Sequence, residues 1–386
     1  FPYYTVDKII DNWNSTGPWT AIVADGVLWN PFRHSIALMT PVSRQLLKSP
    51  LGDEIVFDER HKSLQLRFTY RWELSSRYGF VRRARIENTG RESRRLRLVD
   101  GIDNFLPPDV ESRMQLMYSC LADAYKISEL DCDGALVIHR LAAGITDQPI
   151  PLESLRATTV WTHGLDRGPT FMARSQAEEF LRGQAPEPGE RMRANRGAML
   201  LGREFELGPG EHQDWIIVAD IQRTQADVSR LREQLANPTS LLADLDKDLA
   251  EGRERLREVV ASADGFQKTA DRDAALYHYH NTLCNILRGG IPDQGYLLQR
   301  RQSLRYLSNH NSPLLNKHQE WLADLPETFS RADLLARIES LGDPDLLRLG
   351  EEYLPLILGR RHGDPSRPWN RFFIRLRDDQ GEPVQH

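Results

Sequence analysis

The feature that most constrains this chain is a change of hydrophobic period near residue 222. Before it, apolar residues alternate. Leu64, Leu66, Phe68, Tyr70, Trp72 and Leu74 are interleaved with Gln65, Arg67, Thr69, Arg71 and Glu73, a period of two that buries one face of a strand and wets the other. After it, Val228, Leu231 and Leu235 recur three or four residues apart, and Leu242, Leu245, Leu249, Leu256 and Val260 form a second, longer stripe. That is the apolar face of helices. Strands gathered in one half and helices in the other predict a multi-domain α+β chain.

Turn chemistry divides the strand half. Residues 79–88 and 93–100 flank Asn88-Thr89-Gly90, which reads as a hairpin turn, and Gly208-Pro209-Gly210 separates 205–207 from 215–218 in a second strand–turn–strand unit. Shorter strands are expected near 20–29, 54–59, 135–142, 156–162 and 197–201, with 183–196 as an exposed loop. Together they predict a large antiparallel sandwich over residues 1–222.

The helical half opens with a linker, residues 223–290. Thr224 caps its first helix with Asp227 at the third position, and Asn237-Pro238 ends it. A further helix is expected over about 271–287, stopped by Gly289-Gly290. Residues 291–386 form a last helical segment. There Ser330 and Asp333 start a helix carrying Leu334, Leu335, Ile338 and Leu341, Pro344 opens another ending near Pro355, and 372–378 could form a strand.

Charge and cysteine content exclude several classes. Fifty basic against 55 acidic residues give −5, so no field favours nucleic acid or an anionic membrane. No apolar run approaches the roughly 18 residues that a membrane helix needs. Cys120, Cys132 and Cys284 make neither a CxxC motif nor an even framework, so no disulfide scaffold or structural zinc is expected, and a cytoplasmic location is the default. The sequence starts at Phe1, not methionine, and shows no secretory segment. An incomplete N-terminus is expected.

No motif carries chemistry outright. His278, His280, His310, His318 and Cys284 could suggest a metal, but residues two apart on a helix face about 200° apart and cannot share one. There is no nucleophile elbow, P-loop or dinucleotide fingerprint. Glycosidic chemistry needs two carboxyls at a set separation, and Asp100, Asp103 and Asp109 form the most suggestive group, with loop capping as the alternative. Aromatic faces stack on sugar rings, while planar Arg, Asp and Asn groups bind hydroxyls. Two segments combine these types: Trp29-Asn30-Pro31-Phe32-Arg33-His34, and Arg360 to Arg371. The second holds four arginines with His362, Asp364 and Trp369 among prolines. It is a candidate sugar-site rim, or else a brace between domains.

At these residues the chain resembles a known group. Phe1-Pro2-Tyr3-Tyr4, Asn12-Trp13-Asn14-Ser15-Thr16-Gly17-Pro18-Trp19, Trp29-Asn30-Pro31-Phe32-Arg33 and Arg361-His362-Gly363-Asp364-Pro365-Ser366-Arg367-Pro368-Trp369-Asn370 are similar to large bacterial proteins related to cellobiose phosphorylase, within the six-hairpin glycosidases. The resemblance implies a galactose-mutarotase-like β-supersandwich, a helical linker and an (α/α)6 barrel bearing the catalytic acid. Twelve barrel helices need several hundred residues, far more than follow 222. The chain is therefore expected to be a fragment with an incomplete (α/α) domain and no catalytic residue of its own.

The expected function is that of the N-terminal part of an inverting glycoside phosphorylase or hydrolase, the alternative being a non-catalytic carbohydrate-binding or scaffolding sandwich. A mutarotase-type enzyme using a sandwich histidine and carboxylate is a third reading. The partners are an oligosaccharide and, for a phosphorylase, inorganic phosphate; the resemblance also implies a homodimer. No cofactor or metal is expected. Arg361, His362, Asp364, Arg367 and Trp369 are the substrate-binding candidates. Replacing Trp369 with Ala in the full-length protein should weaken sugar affinity, and unchanged affinity in a titration would remove the rim assignment.

Overall fold

The computed structural model describes residues 16–33, 41–49, 51–145, 153–165, 168–187 and 189–262, parts of 265–283, and 297–352, 360–361 and 373–374. The chain divides into two compact units, Thr5–Arg253 and Glu254–His386, the latter grouped with Phe1–Tyr4.

The first unit is a two-sheet antiparallel sandwich. Its strands are β1 (Gly17–Ala24), β2 (Val27–Trp29), β3 (Val42–Lys48), β4 (Ile55–His61), β5 (Leu66–Ser75), β6 (Gly79–Asn88) and β7 (Arg94–Phe105), followed by β8 (Lys126–Asp131), β9 (Leu136–Leu141), β10 (Arg156–His163), β11 (Thr170–Phe171), β12 (Arg191–Arg193), β13 (Gly197–Leu207) and β14 (His212–Thr224). Five make a small sheet in the order β11-β13-β7-β1-β2. Nine make a large one, β12-β8-β9-β10-β14-β6-β5-β4-β3. Short helices α1 (Ser112–Met117) and α2 (Ser119–Ala124) link β7 to β8. Helix α3 (Arg174–Leu181) covers Trp19, Val99 and Leu200 on the outer face of the small sheet.

Alternation sets the core. Leu66, Phe68 and Tyr70 of β5 face Leu96, Leu98 and Ile102 of β7 across the sandwich, with Ile86, Trp215 and Ile217 in the same cluster. On that inward parity lie two charged residues, Arg82 of β6 and Asp100 of β7, both wholly buried. Arg82 Nη1 donates to Asp100 Oδ2 at 2.6 Å and Nη2 to Oδ1 at 2.9 Å. Thr20 Oγ1 and Trp215 Nε1 also donate to Asp100, at 2.6 and 2.7 Å. The guanidinium lies 4.4 Å from the Tyr70 ring centroid, and burial pushes the Tyr70 hydroxyl pKa up to about 12.

The turn at Asn88-Thr89-Gly90 is not a hairpin. β6 pairs with β5 and β14 in the large sheet, while β7 pairs with β1 and β13 in the small one, so the chain crosses between layers there. Gly208-Pro209-Gly210 makes the same crossing from β13 to β14. Asn88, fully buried, ties the two arches together. Its amide donates to Glu92 O and Leu207 O at 2.8 and 3.0 Å, its backbone N–H to Glu211 O, and its carbonyl accepts from Gly210 N–H. Loop 183–196, expected to be irregular, contributes β12 to the edge of the large sheet beside β8.

Helices follow β14. The expected Thr224–Asp227 capping box opens α4 (Gln225–Leu235), and α5 (Pro238–Ser262) comes next. Val228, Leu241 and Leu245 pack on Trp161, Ile216 and Val218, on the outer face of the large sheet.

The second unit, where described, is a small helical body. Strands β15 (Leu297–Gln299) and β16 (Thr328–Ser330) pair antiparallel. Helix α6 (Arg300–Lys317) bends at Asn311, whose φ is −157°. Pro313 supplies no N–H there, and Asn311 Oδ1 caps the continuation by accepting from Leu314 N–H at 3.1 Å. Helices α7 (Gln319–Ala323), α8 (Arg331–Leu341) and α9 (Pro344–Glu352) complete it. Ser330 and Asp333 form the expected capping box, and Gly342, at φ +65°, ends α8. Leu298, Leu307, Leu322, Phe329, Leu334, Ile338 and Leu346 form its core. Of the helix expected over 271–287, residues 272–273, 275–276, 279–280 and 283 are described and helical. The stop at Gly289-Gly290 and the end near Pro355 lie outside the described residues. Of the strand expected over 372–378, Phe373–Ile374 is described as strand.

Replacing Asp100 with Asn leaves the Arg82 charge buried without its counter-ion and should lower the unfolding free energy by about 3–5 kcal/mol. Urea denaturation of this variant checks it. A loss below about 1 kcal/mol, the scale of an exposed pair, would contradict a buried role.

Candidate functional site

A groove of about 550 Å³ opens on the outer face of the large sheet. The period of two builds it. Residues pointing inward on β5 and β6 make the core, so the intervening Arg67, Thr69 and Arg71 of β5 and Arg83, Arg85 and Glu87 of β6 point into the groove. His163 at the end of β10, Asp214 of β14 and Leu242 of α5 close its margins.

Its charges are locked in pairs. Arg67 forms a fork with Asp58, Nη2 to Oδ2 at 2.7 Å and Nε to Oδ1 at 3.0 Å, and reaches Glu87 at 3.6 Å. Arg85 grips Asp214 with Nε and Nη2 at 2.6 and 2.7 Å. Glu73 accepts from Arg71 and Arg83 at 3.2 and 3.1 Å, and Arg83 also bonds Asp246 of α5. The Asp58 carboxylate raises the Arg67 pKa, and the Asp214 carboxylate raises that of Arg85. Fixed guanidinium and carboxylate groups in this arrangement can hold hydroxyls. Each carboxylate lining the groove faces an arginine, Glu87 across 3.6 Å and Asp214 through a two-point bond.

The suggested carboxyl group does not converge. Asp100 points between the sheets to Arg82. Asp103, three residues along the same strand, has the opposite parity and faces outward, 3.4 Å from Arg174 Nη1. Asp109 is exposed in a turn at φ +66°, the loop role weighed for it. Burial raises the Asp103 pKa against the opposing charges of Arg174 and Arg196.

Trp29-Asn30-Pro31-Phe32-Arg33 proves to be an internal brace. Glu59, 1% exposed, accepts from Trp29 Nε1 and Phe32 N–H, each at 2.7 Å, and pairs with Arg44. Trp29 is fully buried, and Phe32 packs edge-on to Phe57 and Tyr70. His34 lies outside the described residues. Of the candidate rim, Arg361 belongs to a two-residue strand, Arg360–Arg361, paired with Phe373–Ile374. His362, Asp364, Arg367 and Trp369 lie outside the described residues.

The described histidines do not meet. Among the described residues no cluster of metal ligands occurs. His310 packs on Tyr306 at 4.0 Å between ring centroids and its Nδ1 lies 2.9 Å from Tyr306 O. His318 Nε2 and Lys317 Nζ both bond Asp343 Oδ2, at 2.8 and 2.6 Å. Asp343 Oδ1 accepts from Asp345 N–H and Leu346 N–H, capping α9. His278 and Cys284 lie outside the described residues.

Residues 293–355 match the family model for glycoside hydrolase family 149 insertion domain 1. Through this segment the chain is related to carbohydrate-active enzymes. A search of curated proteins finds no match. Among solved structures, a bacterial glucoamylase in complex with acarbose is similar at 11% identity and TM-score 0.43, over 86% of this chain and 52% of that one. A protein provisionally named kojibiose phosphorylase, from the human microbiome, is similar at 9% identity and TM-score 0.33, over 74% of this chain and 30% of that one. A galactose mutarotase-like protein from Lactobacillus casei ATCC 334 is similar at 11% identity and TM-score 0.23, over 52% of this chain and 84% of that one. The chain thus spans about half the length of the first and less than a third of the second.

The cap on α9 generates a pH prediction. The lysine and histidine hydrogen bonds hold the Asp343 pKa far below its ordinary value of about 3.9. A depressed carboxyl stabilises the fold above its unfolded pKa and loses that contribution as pH falls through its folded one. Stability should therefore drop below about pH 4, less steeply in Asp343→Asn. Thermal melts of both proteins between pH 6 and pH 2 check this, and parallel curves would contradict it.

Proposed function

We propose that this chain is a portion of an inverting glycoside phosphorylase or glycoside hydrolase that acts on oligosaccharides. The observation that carries the reading is a segment of glycoside hydrolase family 149 insertion-domain type following a large antiparallel sandwich in one chain. The sandwich acts as scaffold. Its charged groove supplies a wall for sugar hydroxyls, and Arg361, His362, Asp364, Arg367 and Trp369 contribute to the rim of the sugar site.

In such a reaction a carboxylic acid gives its proton to the glycosidic oxygen. Phosphate, or a water activated by a carboxylate base, attacks the anomeric carbon from the opposite face, with inversion and an oxocarbenium-like transition state. The described carboxyl moved toward protonation is Asp103, whose charged neighbours are arginines, not a second carboxylate. The proposal therefore places the reacting acid outside the described residues. A purely sugar-binding sandwich finds less support: Trp19, Trp29, Trp161 and Trp215 are each at most 7% exposed, and Trp72 is partly buried against the core.

The test is release of sugar or sugar phosphate from a β-glucan oligosaccharide panel, with and without phosphate, by this chain and by a version extended at its C-terminus. Activity confined to the extended protein is expected, and its phosphate dependence distinguishes the two reaction types. Turnover by the chain alone would overturn the placement of the acid, and no turnover by either protein would overturn the reading.

A further inference from the structure

The inward row of the large sheet runs past the core at one end and stays exposed there. Leu74 and Phe80 pair across β5 and β6 and share the inward parity of Phe68, Tyr70, Arg82 and Ala84, yet they are 65% and 53% exposed. Ile221, 57% exposed, stands two residues beyond Ala219, the β14 partner of Phe80. Three large apolar side chains on three neighbouring strands favour a cover that removes them from water. We propose that residues 6–13 of this chain supply it, as an amphipathic helix that docks its apolar stripe on this end of the inner face.

The residue pattern of the segment fits that role. Val6, Ile9, Ile10 and Trp13 fall at i, i+3, i+4 and i+7, within an arc of about 100° on a helix, while Asp7, Lys8, Asp11 and Asn12 take the opposite side. Thr5 is an N-cap residue, and Asp7 puts negative charge in the first turn. A helix this short does not hold its shape alone in water and needs an apolar surface to pack on.

Chain connectivity brings the segment to the right end. The chain leaves β6 at Asn88 to enter β7, so the start of β6, with Phe80, lies toward the end of β7. There Ile102 and Asp103 pair with Pro18 and Gly17 of β1, and Asn104 Nδ2 donates to Thr16 Oγ1 at 2.7 Å. Thr16 is thereby fixed at the end where Leu74 and Phe80 are exposed. Trp13 precedes it by three residues, a reach of at most about 11 Å, and packed sheets lie about 10 Å apart. The sizes also agree: eight helical residues span about 12 Å, and three neighbouring strands about 10 Å.

The polar side of the segment decides between covering this face within one chain and covering it with a second copy. With Asp7, Lys8 and Asp11 turned away from the sheet, a docked helix presents a charged surface to water and leaves no apolar face for another molecule.

The test digests the chain with a protease that cuts after lysine and follows the products by mass spectrometry, since a docked helix must open before the bond after Lys8 is cut. Cleavage there is expected to be about tenfold faster in Phe80→Ser and in Ile9→Ser, equivalent to about 1.4 kcal/mol, and no faster in the double variant than in either single one. Cleavage after Lys126, which is buried, reports opening of the sandwich and is expected to stay unchanged. A second readout uses cysteines, with Cys120, Cys132 and Cys284 replaced by serine. Ile10→Cys with Phe80→Cys should form a disulfide within one chain, and Asp11→Cys with Phe80→Cys should not. Equal cleavage after Lys8 in wild type and both variants, or an equal rise after Lys8 and Lys126, would overturn the docking. A disulfide that joins two chains would also overturn it and assign the face to a second copy.

Discussion

The sandwich is organised around one ion pair. Arg82 and Asp100 come from different sheets and meet where water is absent, so neither charge can be left without the other. Their geometry admits little movement: Asp100 is held by two guanidinium nitrogens, the Thr20 hydroxyl and the Trp215 indole. An apolar core fixes sheet separation but tolerates sliding of one face over the other. A bidentate pair fixes register as well, because a one-residue slip would turn either charge out of the layer. The grooved outer face depends on that register, since Arg83 and Arg85 stand on the same strand as Arg82 with the opposite parity.

Much of the fold was legible because period two and period 3.6 are hard to confuse over long stretches. The alternation in β5, the capping boxes at Thr224 and Ser330 and the end of α4 before Pro238 all follow from local chemistry. Edge strand Val42–Lys48 did not reveal itself because its residues are mostly exposed and show no clean alternation. The arch at Asn88 reads as a hairpin because Asn-Thr-Gly states only that the chain turns. Which sheet it enters next is decided by the contacts of Asn88 with Leu207 and Glu211, more than a hundred residues away. Helix α6 was hidden by Pro313 and by an asparagine that recaps the helix in its middle.

Site residues were harder to read for the same reason. Parity could have separated Asp100 from Asp103, since residues three apart on a strand face opposite ways, and could have marked Arg82 as inward with Ala84 and Ile86. Arg67 and Arg71 were already visible as the polar side of β5. Their conversion into a groove needs the pairing of β5 with β6 and of β6 with β14, which no local pattern states. Trp29 and Phe32 carry the residue types of a sugar platform, yet Glu59 draws them inward. Composition can name a chemistry, whereas burial decides whether that chemistry is available.

The pairing of β7 with β13 and of β6 with β14 also bears on synthesis. The strands that complete the middle of each sheet are made last, with residues 197–224. Until they leave the ribosome, the inward rows of β5, β6 and β7, including Phe68, Ile86 and Leu98, have no opposing layer in final form. Such long-range closure slows folding and leaves apolar faces open to aggregation. The described helical body over residues 297–352 closes its core from neighbouring segments and has no such delay. A nascent chain of this kind would therefore need protection early, across its first two hundred residues.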